Sequence, residues 1–264
     1  MMRVTFLGTG TSSGVPVVGC DCTTCRSDDP HDKRWRPSIF LELSDGTRVL
    51  VDTTPDFRSQ ALEFGLTGLD VVLFTHYHAD HIMGLDDVRP FNFRQPGVIP
   101  CLGDAQTLAA LRRVFSYVWD PETPRGGGLP RLRLLEVTGP FSVGHTEVVP
   151  VPLFHGVHPI LGYRFGAFAY LTDCSEIPAT SWPLLERLDI LVLDALRHRS
   201  HPTHFSLSEA IDVAERVGAR QTYFTHMCHH LPHAKTCEKL PPGVTLAHDG
   251  LVVECDESHT RVLS

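Results

Sequence analysis

A short run of metal-ligand side chains follows the apolar segment 71–75. His76, His78, Asp80 and His81 place four nitrogen and oxygen donors within six residues. An uninterrupted apolar run of this length is typical of a buried strand, so these donors follow a strand end. Because the chain turns there, His76 and His78 can face one side of a pocket while Asp80 and His81 face another. One ion takes about four ligands. The spacing therefore predicts two adjacent metal ions, which can hold the attacking and leaving oxygens of a hydrolysis reaction.

Two metal ions need more ligands than this motif provides. Three further candidates, His155, Asp173 and His226, each come directly after an apolar, strand-like run. Loops that converge at the ends of such strands are where mixed helix–strand folds usually carry their functional residues. We therefore predict that these three residues join the motif, with His158 as the alternative to His155.

Cys20, Cys22 and Cys25 place three sulfur atoms within six residues. In a reducing compartment such clustering favours a closed tetrahedral zinc site over disulfide bonds. The segment 226–233 offers several candidates for the fourth ligand, and Cys228 is one of them. A zinc ion held there would contribute directly to folding. The alternative interpretation is three reduced thiols without a metal.

Length and composition are those of an ordinary globular protein, with 264 residues, 42% hydrophobic and 20% charged. No linker divides the chain, so we expect one domain over residues 1–264. The 16 histidines and 8 cysteines are an ample supply of metal ligands. The net charge of −8 argues against nucleic acid as a partner, since its binders usually have a basic excess. We see no secretory signal and no membrane span, and we expect a cytoplasmic protein without a membrane partner.

The predicted elements begin with strands, continue with interspersed helices, and end with strands and helices again. This order predicts two sheets with helices outside them and not a regular series of strand–helix–strand units. Asp45-Gly46 lies between two apolar runs, which predicts a hairpin. Ser206 followed by Glu209 has the spacing of a capping box and predicts a helix that runs to Val217.

The whole chain resembles the metallo-β-lactamase-fold hydrolases. The resemblance runs from the opening Phe6-Leu7-Gly8-Thr9-Gly10 through the His-x-His-x-Asp-His motif to the closing Asp249-Gly250. It implies an α/β fold of the αββα sandwich type, in which two mixed sheets with outer helices hold a dinuclear site between them. The implied ligands are His76, His78 and His155 for one ion, Asp80, His81 and His226 for the other, and Asp173 for both. Asp52, at a strand end, matches the acid that braces the ligands from outside.

The cysteine motif narrows the resemblance to the PhnP-like phosphodiesterases. That branch combines Cys-x-Cys-x-x-Cys near the N-terminus with a late Thr-His-x-x-His, here residues 225–229. The resemblance implies that His229 completes the structural zinc site of Cys20, Cys22 and Cys25. It also implies that His204, in a Pro-Thr-His step, binds the phosphate and protonates the leaving alkoxide. An imidazole suits this task because its ordinary pKa lies close to neutral pH. His204 and Asp80 are the residues to which we assign catalytic roles.

The function implied is hydrolysis of a small phosphodiester, with a cyclic one as the leading candidate. A hydroxide shared by two divalent ions would attack phosphorus, and the ions would stabilise charge on the phosphoryl oxygens. Mixed histidine and carboxylate ligands accept both Mn²⁺ and Zn²⁺, so the sequence does not choose between these cofactors. The expected partner is this small molecule, and a homodimer is compatible with the sequence.

Two other functions are alternatives. The tRNase Z relatives, which process RNA, share Gly-Thr-Gly and the histidine motif, but they need a basic surface or a protruding arm. The acidic balance and the lack of a Lys/Arg-rich insertion argue against that function here. The PqqB-type relatives keep the fold and the cysteine site, and a binding or carrier role has been proposed for them. The complete set from His76 to His81 argues against mere binding.

Overall fold

The computed structural model describes residues 1–124, 126 and 128–257. The strands in these residues are β1 (Met2–Gly8), β2 (Ser38–Glu42), β3 (Arg48–Val51), β4 (Val71–Leu73), β5 (Ile99–Gly103), β6 (Leu132–Glu136), β7 (Phe141–Val143), β8 (Thr146–His155), β9 (His158–Phe165), β10 (Phe168–Leu171), β11 (Ile190–Asp194), β12 (Gln221–Thr225), β13 (Val244–Leu246) and β14 (Val252–Cys255). The α-helices are α1 (Phe57–Glu63), α2 (Ala79–Ile82), α3 (Arg89–Arg94), α4 (Ala105–Val114), α5 (Leu207–Val217) and α6 (His233–Cys237). Short 3-10 helices span Pro30–Asp32, Leu85–Val88, Ser116–Val118 and Trp182–Leu185.

The strands form two mixed sheets of seven strands each. Their orders are β14-β1-β2-β3-β4-β5-β6 and β13-β12-β11-β10-β9-β8-β7. Strands β3 to β6 run parallel to one another, and so do β10 to β13. Antiparallel pairs complete both sheets.

The central strands are buried on both faces, as β11 illustrates. Ile190 and Val192 pack into the core between the two sheets. Leu191 and Leu193 point the other way, into a second core that contains Ala210 of α5. A strand buried on both faces needs such an uninterrupted apolar run. The first sheet is covered in the same way by α1, α3 and α4. The layers are therefore helix, sheet, sheet and helix, and the predicted αββα sandwich is confirmed.

Two local predictions from the sequence are also confirmed, the capping box of α5 and the hairpin of β2 and β3. The Ser206 amide donates to the Glu209 carboxylate at 2.8 Å, and the Glu209 amide donates to Ser206 Oγ at 3.4 Å, so α5 begins with a capping box. Gly218 ends it with a left-handed φ of 65°. Strands β2 and β3 form the predicted hairpin, with Gly46 at a φ of 84° in its turn.

None of the helices in the described residues is both long and apolar enough to cross a lipid bilayer. All eight cysteines lie within the described residues, and none of them is bridged to another.

Candidate active site

The candidate active site lies where the carboxyl ends of several strands from both sheets converge. His155 is the last residue of β8, and the other positions follow their strands by one to three residues. Asp52 follows β3, His76 follows β4, Asp173 follows β10 and His226 follows β12. Parallel strands end at the same edge of a sheet, so residues far apart in the chain meet there.

Three of these positions have an unusual backbone. Asp52, Asp173 and His226 adopt left-handed φ values of 66°, 56° and 58°. Such a conformation costs a non-glycine residue on the order of 1–3 kcal/mol and is retained where the surrounding structure enforces it. In each case the residue comes directly after or two residues after its strand, and the side chain is buried.

One group of donors consists of His76, His78 and His155, whose candidate ligand atoms all lie within 4.8 Å of one another. His155 Nδ1 donates to the backbone carbonyl of Thr203 at 2.7 Å, so its Nε2 carries a free lone pair. Burial lowers the pKa of His76 well below its usual value and lowers the pKa of His155 to about 4. These imidazoles are therefore neutral near pH 7, the form that binds a metal.

The second group consists of Asp80, His81, Asp173 and His226, all buried and again with donor atoms within 4.8 Å of one another. Asp173 places Oδ2 at 3.1 Å from His81 Nε2 and Oδ1 at 3.1 Å from His226 Nε2. Asp80 Oδ2 lies 3.3 Å from His81 Nε2 and 3.5 Å from His226 Nε2. Burial lowers the pKa of His81, but the carboxylates of Asp173, Asp80 and Asp52 outweigh it and raise this pKa well above its usual value. This side of the site therefore attracts positive charge.

Asp173 connects the two groups, because its Oδ2 also lies 3.7 Å from His76 Nε2. The buried Nε2 atoms of His76 and His226 have no hydrogen-bond partner among the described residues, although both face carboxylate oxygens at ion-pair distance. His81 Nε2 lies within hydrogen-bond distance of Asp173 Oδ2. At His76 and His226, however, imidazole nitrogens face carboxylate oxygens without a hydrogen bond, and such donors around a common centre suit a cation. The residues present thus fit two neighbouring divalent ions with Asp173 between them.

Asp52 supports this arrangement from behind. His81 Nδ1 donates to Asp52 Oδ2 at 2.8 Å, which directs His81 Nε2 toward Asp80 and Asp173. The amide and hydroxyl of Thr75 also donate to the Asp52 carboxylate, at 2.9 and 2.8 Å. The acid therefore fixes both the start of the ligand loop and the orientation of one ring.

His204 lies against both groups and does not face away from them. Its ring stacks on that of His226, with centroids 4.7 Å apart and planes inclined by 11°. Its edge meets the ring of His155 at 4.6 Å. The side chain is almost wholly buried, and burial lowers its pKa. His158, the alternative to His155, is exposed and does not belong to either donor group among the described residues.

Sequence reasoning missed one residue of this site, Asp194. It is the last residue of β11 and is completely buried. Its Oδ1 lies 3.3 Å from His204 Nδ1 and 3.4 Å from His226 Nδ1, and its Oδ2 accepts the Phe205 amide at 3.0 Å. The available signal was an acid that ends an apolar strand, the same signal that singled out Asp173.

The three clustered cysteines meet His229 in a separate group. His229 Nδ1 lies 3.3 Å from Cys20 Sγ, 3.6 Å from Cys22 Sγ and 3.4 Å from Cys25 Sγ. Ligands around a tetrahedral zinc ion with bonds of about 2.0–2.3 Å are separated by similar distances. The Cys25 amide donates to Cys22 Sγ and lowers the pKa of Cys22, whereas burial raises the pKa of Cys25 to about 11. Three such thiols ionise together only beside a cation, so the group fits a structural zinc ion.

Cys228, the other candidate for the fourth position, lies outside this group. Its sulfur accepts the backbone amide of His230 at 3.4 Å.

Comparison with known proteins gives the same class of protein as the fold and the site. Residues 47–227 match the family model of the beta-lactamase superfamily domain. A crystal structure described as a new diphosphatase from the PhnP family superposes with a TM-score of 0.91. The two sequences are 46% identical, and the superposition covers 97% of this chain and 99% of the diphosphatase chain. The chain thus belongs to the beta-lactamase superfamily. Within that superfamily it is a PhnP-like protein.

Two curated relatives have other names. An octanoyltransferase of Porphyromonas gingivalis is 40% identical over 99% of this chain, but the match covers only 53% of that protein. This chain therefore spans about half the length of that relative, whose name does not say which half transfers octanoyl groups. A ribonuclease Z of Pyrobaculum aerophilum is 22% identical over 83% of this chain and 92% of its own length.

Proposed function

We propose that this chain is a metal-dependent phosphodiesterase that hydrolyses a small phosphodiester. The observation that carries the proposal is the position of His204, whose imidazole contacts both His226 and His155 and so borders both donor groups. The donor groups alone fit many hydrolytic reactions, whereas a proton donor beside them suits the expulsion of a poor leaving group such as an alkoxide. The likeness to a protein described as a diphosphatase supports chemistry at phosphorus.

The chain's own residues bind and orient two divalent ions in this proposal. His76, His78 and His155 hold one, Asp80, His81 and His226 hold the other, and Asp173 lies between them. When bound, such ions lower the pKa of water and offset the charge that builds on phosphoryl oxygens. Hydrogen bonds fix the orientation of two of these rings. His81 donates to Asp52, and His155 donates to the carbonyl of Thr203. Together with the cysteine site, we expect three metal ions per chain.

His204 has the surroundings of a general acid. Asp194 faces its Nδ1, so Nε2 is the atom that gives a proton to the leaving oxygen. Burial lowers the pKa of His204, whereas a bound, negatively charged phosphate would raise it and so favour the protonated ring that acts as the acid.

Replacing His204 with alanine is expected to slow hydrolysis of an alkyl phosphodiester by about 10²–10⁴-fold. Hydrolysis of bis(p-nitrophenyl) phosphate should fall much less, because p-nitrophenolate leaves without being protonated. Both rates are measured with added Mn²⁺ and with Zn²⁺, and bound metal is measured in the same samples. The matched control is His201→Ala, since the His201 ring lies 5.1 Å from that of His204 and is less buried. Equal losses on both substrates at full metal content would refute the role as proton donor.

Asp194→Asn tests the residue that faces both His204 and His226. The asparagine side chain has the shape of the carboxylate, but its NH2 group cannot accept a hydrogen bond where a carboxylate oxygen did. We therefore expect the rings of His204 and His226 to lose their fixed orientation. The expected result is a fall of about 10–100-fold in kcat/KM for the diester with little loss of bound metal. Asp189→Asn is the control, because Asp189 is half-exposed and pairs with Arg220 at the surface. Unchanged kcat/KM in Asp194→Asn would contradict the positioning role.

The alternatives give different outcomes in the same assays. A metal-loaded protein that turns over no diester with any of several divalent ions would be a binding protein. Cleavage of precursor tRNA, with the steep salt dependence of phosphate contacts, would indicate an RNA endonuclease. The net charge of −8 supports a small-molecule substrate over RNA.

A further inference from the structure

A further cluster of donors lies outside the two groups of the active site and the cysteine group. His31 belongs to the 3-10 helix Pro30–Asp32, His233 is the first residue of α6, and His248 follows β13. The His31 ring lies 4.6 Å from that of His233 and stacks at 4.1 Å on that of His248. Asp29 adjoins them, and donor atoms of Asp29, His31 and His233 all lie within 4.8 Å of one another.

We propose that Asp29, His31 and His233 form an additional cation site that binds Zn²⁺. Two imidazoles and a carboxylate are ligands that zinc accepts, and three protein ligands leave one position for water or another small ligand. The site is independent of the proposed phosphodiesterase activity.

The spacing of the donors fits an ion between them. His31 Nδ1 lies 3.8 Å from Asp29 Oδ1, which is too long for a hydrogen bond. Two ligands at about 2.1 Å from a shared tetrahedral ion are about 3.4 Å apart, so only a small shift is needed. The His31 amide donates to the same Asp29 oxygen at 2.9 Å and holds the carboxylate in place.

His233 is prepared to act as a ligand. Half-burial and the nearby His31 and Arg34 lower the pKa of His233 to about 4, so the ring is neutral at pH 7. A neutral imidazole is the form that binds a metal ion.

The positive charge of Arg34 is already balanced inside the fold. Its guanidinium donates to the carbonyl oxygens of Cys228 and Leu231 and lies 3.5 Å from Asp32. Asp32 also accepts the backbone amide of His233 at 2.8 Å. The arginine thus fixes His233 beside the 29–32 segment and leaves Asp29 to face the proposed ion.

Cys237 is not counted as a ligand. Its sulfur lies 3.9 Å from both ring nitrogens of His233, so it sits beside the ring and not along a lone pair. An ion held by the other three residues would tie the 29–32 segment to α6. The side chains of Asp29 and His31 are 33% and 43% exposed, so this ion should exchange more readily than one held by the cysteine group.

The test uses the full chain already loaded with metal at its other sites. Equilibrium dialysis against Zn²⁺ should give one more weakly held ion per chain than in the variant His31→Ala/His233→Ala. Saturating Zn²⁺ should raise the Tm of the parent by roughly 5 °C or more, and this shift should vanish in the variant. Asp29→Asn, which keeps the local shape, should weaken the extra binding at least about 10-fold. If the double variant does not fold, Asp29→Asn decides the question.

The control variants are His145→Ala, an exposed histidine elsewhere, and Cys237→Ser, and both should bind the extra ion as the parent does. The same Zn²⁺ affinity for the extra ion and the same Zn²⁺-dependent Tm shift in Asp29→Asn as in the parent would overturn the proposal. Hydrolysis of bis(p-nitrophenyl) phosphate should be unchanged in every one of these variants, so failure of this site is distinguishable from failure of the proposed function.

Discussion

Replacing Asp173 with asparagine is expected to reduce turnover of bis(p-nitrophenyl) phosphate by about 10³-fold or more. Asp173 is the residue that contacts both donor groups, through His76 on one side and His81 and His226 on the other. Its loss removes a negative charge that both proposed ions share, and neither ion is then held in the geometry that activates water. Steady-state kinetics at saturating Mn²⁺, with bound metal measured by mass spectrometry, checks the result.

Asp212→Asn is the matched control for this change. Asp212 is exposed on α5 and belongs to none of the donor groups in the described residues, so turnover and bound metal should stay at the parent values. The fold of Asp173→Asn should also persist, because the amide fills the same space. A variant with full turnover would refute the proposed bridging position of Asp173.

Replacing Cys25 with serine is expected to cost one zinc ion per chain and to lower the free energy of unfolding by about 4 kcal/mol or more. Cys25 is the buried thiol of the cysteine group, and its sulfur also accepts the Val17 amide at 3.3 Å. Loss of a structural metal is one of the few single changes with so large an effect, because the binding energy of the ion is part of the folding energy. His229→Ala should give the same result. Zinc content and urea unfolding measure both effects.

Cys228→Ser is the control with the same chemical change. Cys228 is half-buried next to His229 in sequence but lies outside the cysteine group. Its variant should keep its zinc and lose little stability. If Cys228→Ser lost the ion while His229→Ala kept it, the fourth ligand would be Cys228.

Short strands and short helices were the part of the fold that the sequence signalled poorly. Strands β5, β13 and β14 and helices α3 and α6 have three to six residues each, too few to establish a hydrophobic period. The longer segments, such as β11 and α5, carried clear signals because an uninterrupted apolar run and a capping box are local features.

The sequence by itself determined which side chains are available as ligands near one another. Six consecutive residues contain His76, His78, Asp80 and His81, and another six contain Cys20, Cys22 and Cys25. The proximity within each set therefore follows without knowledge of the fold. Positions after strand-like runs extended this prediction to His155, Asp173 and His226. The resemblance to a family divided these ligands between two ions and added His229 to the cysteine group.

Only the tertiary structure decided how distant strand ends meet. It placed Asp194 against both His204 and His226, and it gathered Asp29, His31 and His233 from segments about 200 residues apart. The strand end marks Asp194 as a candidate, but the contacts in both arrangements have no local signature, because an acid or histidine has the same sequence appearance whether it faces solvent or a buried imidazole. The packing of the two sheets sets those contacts, and packing depends on the whole chain at once.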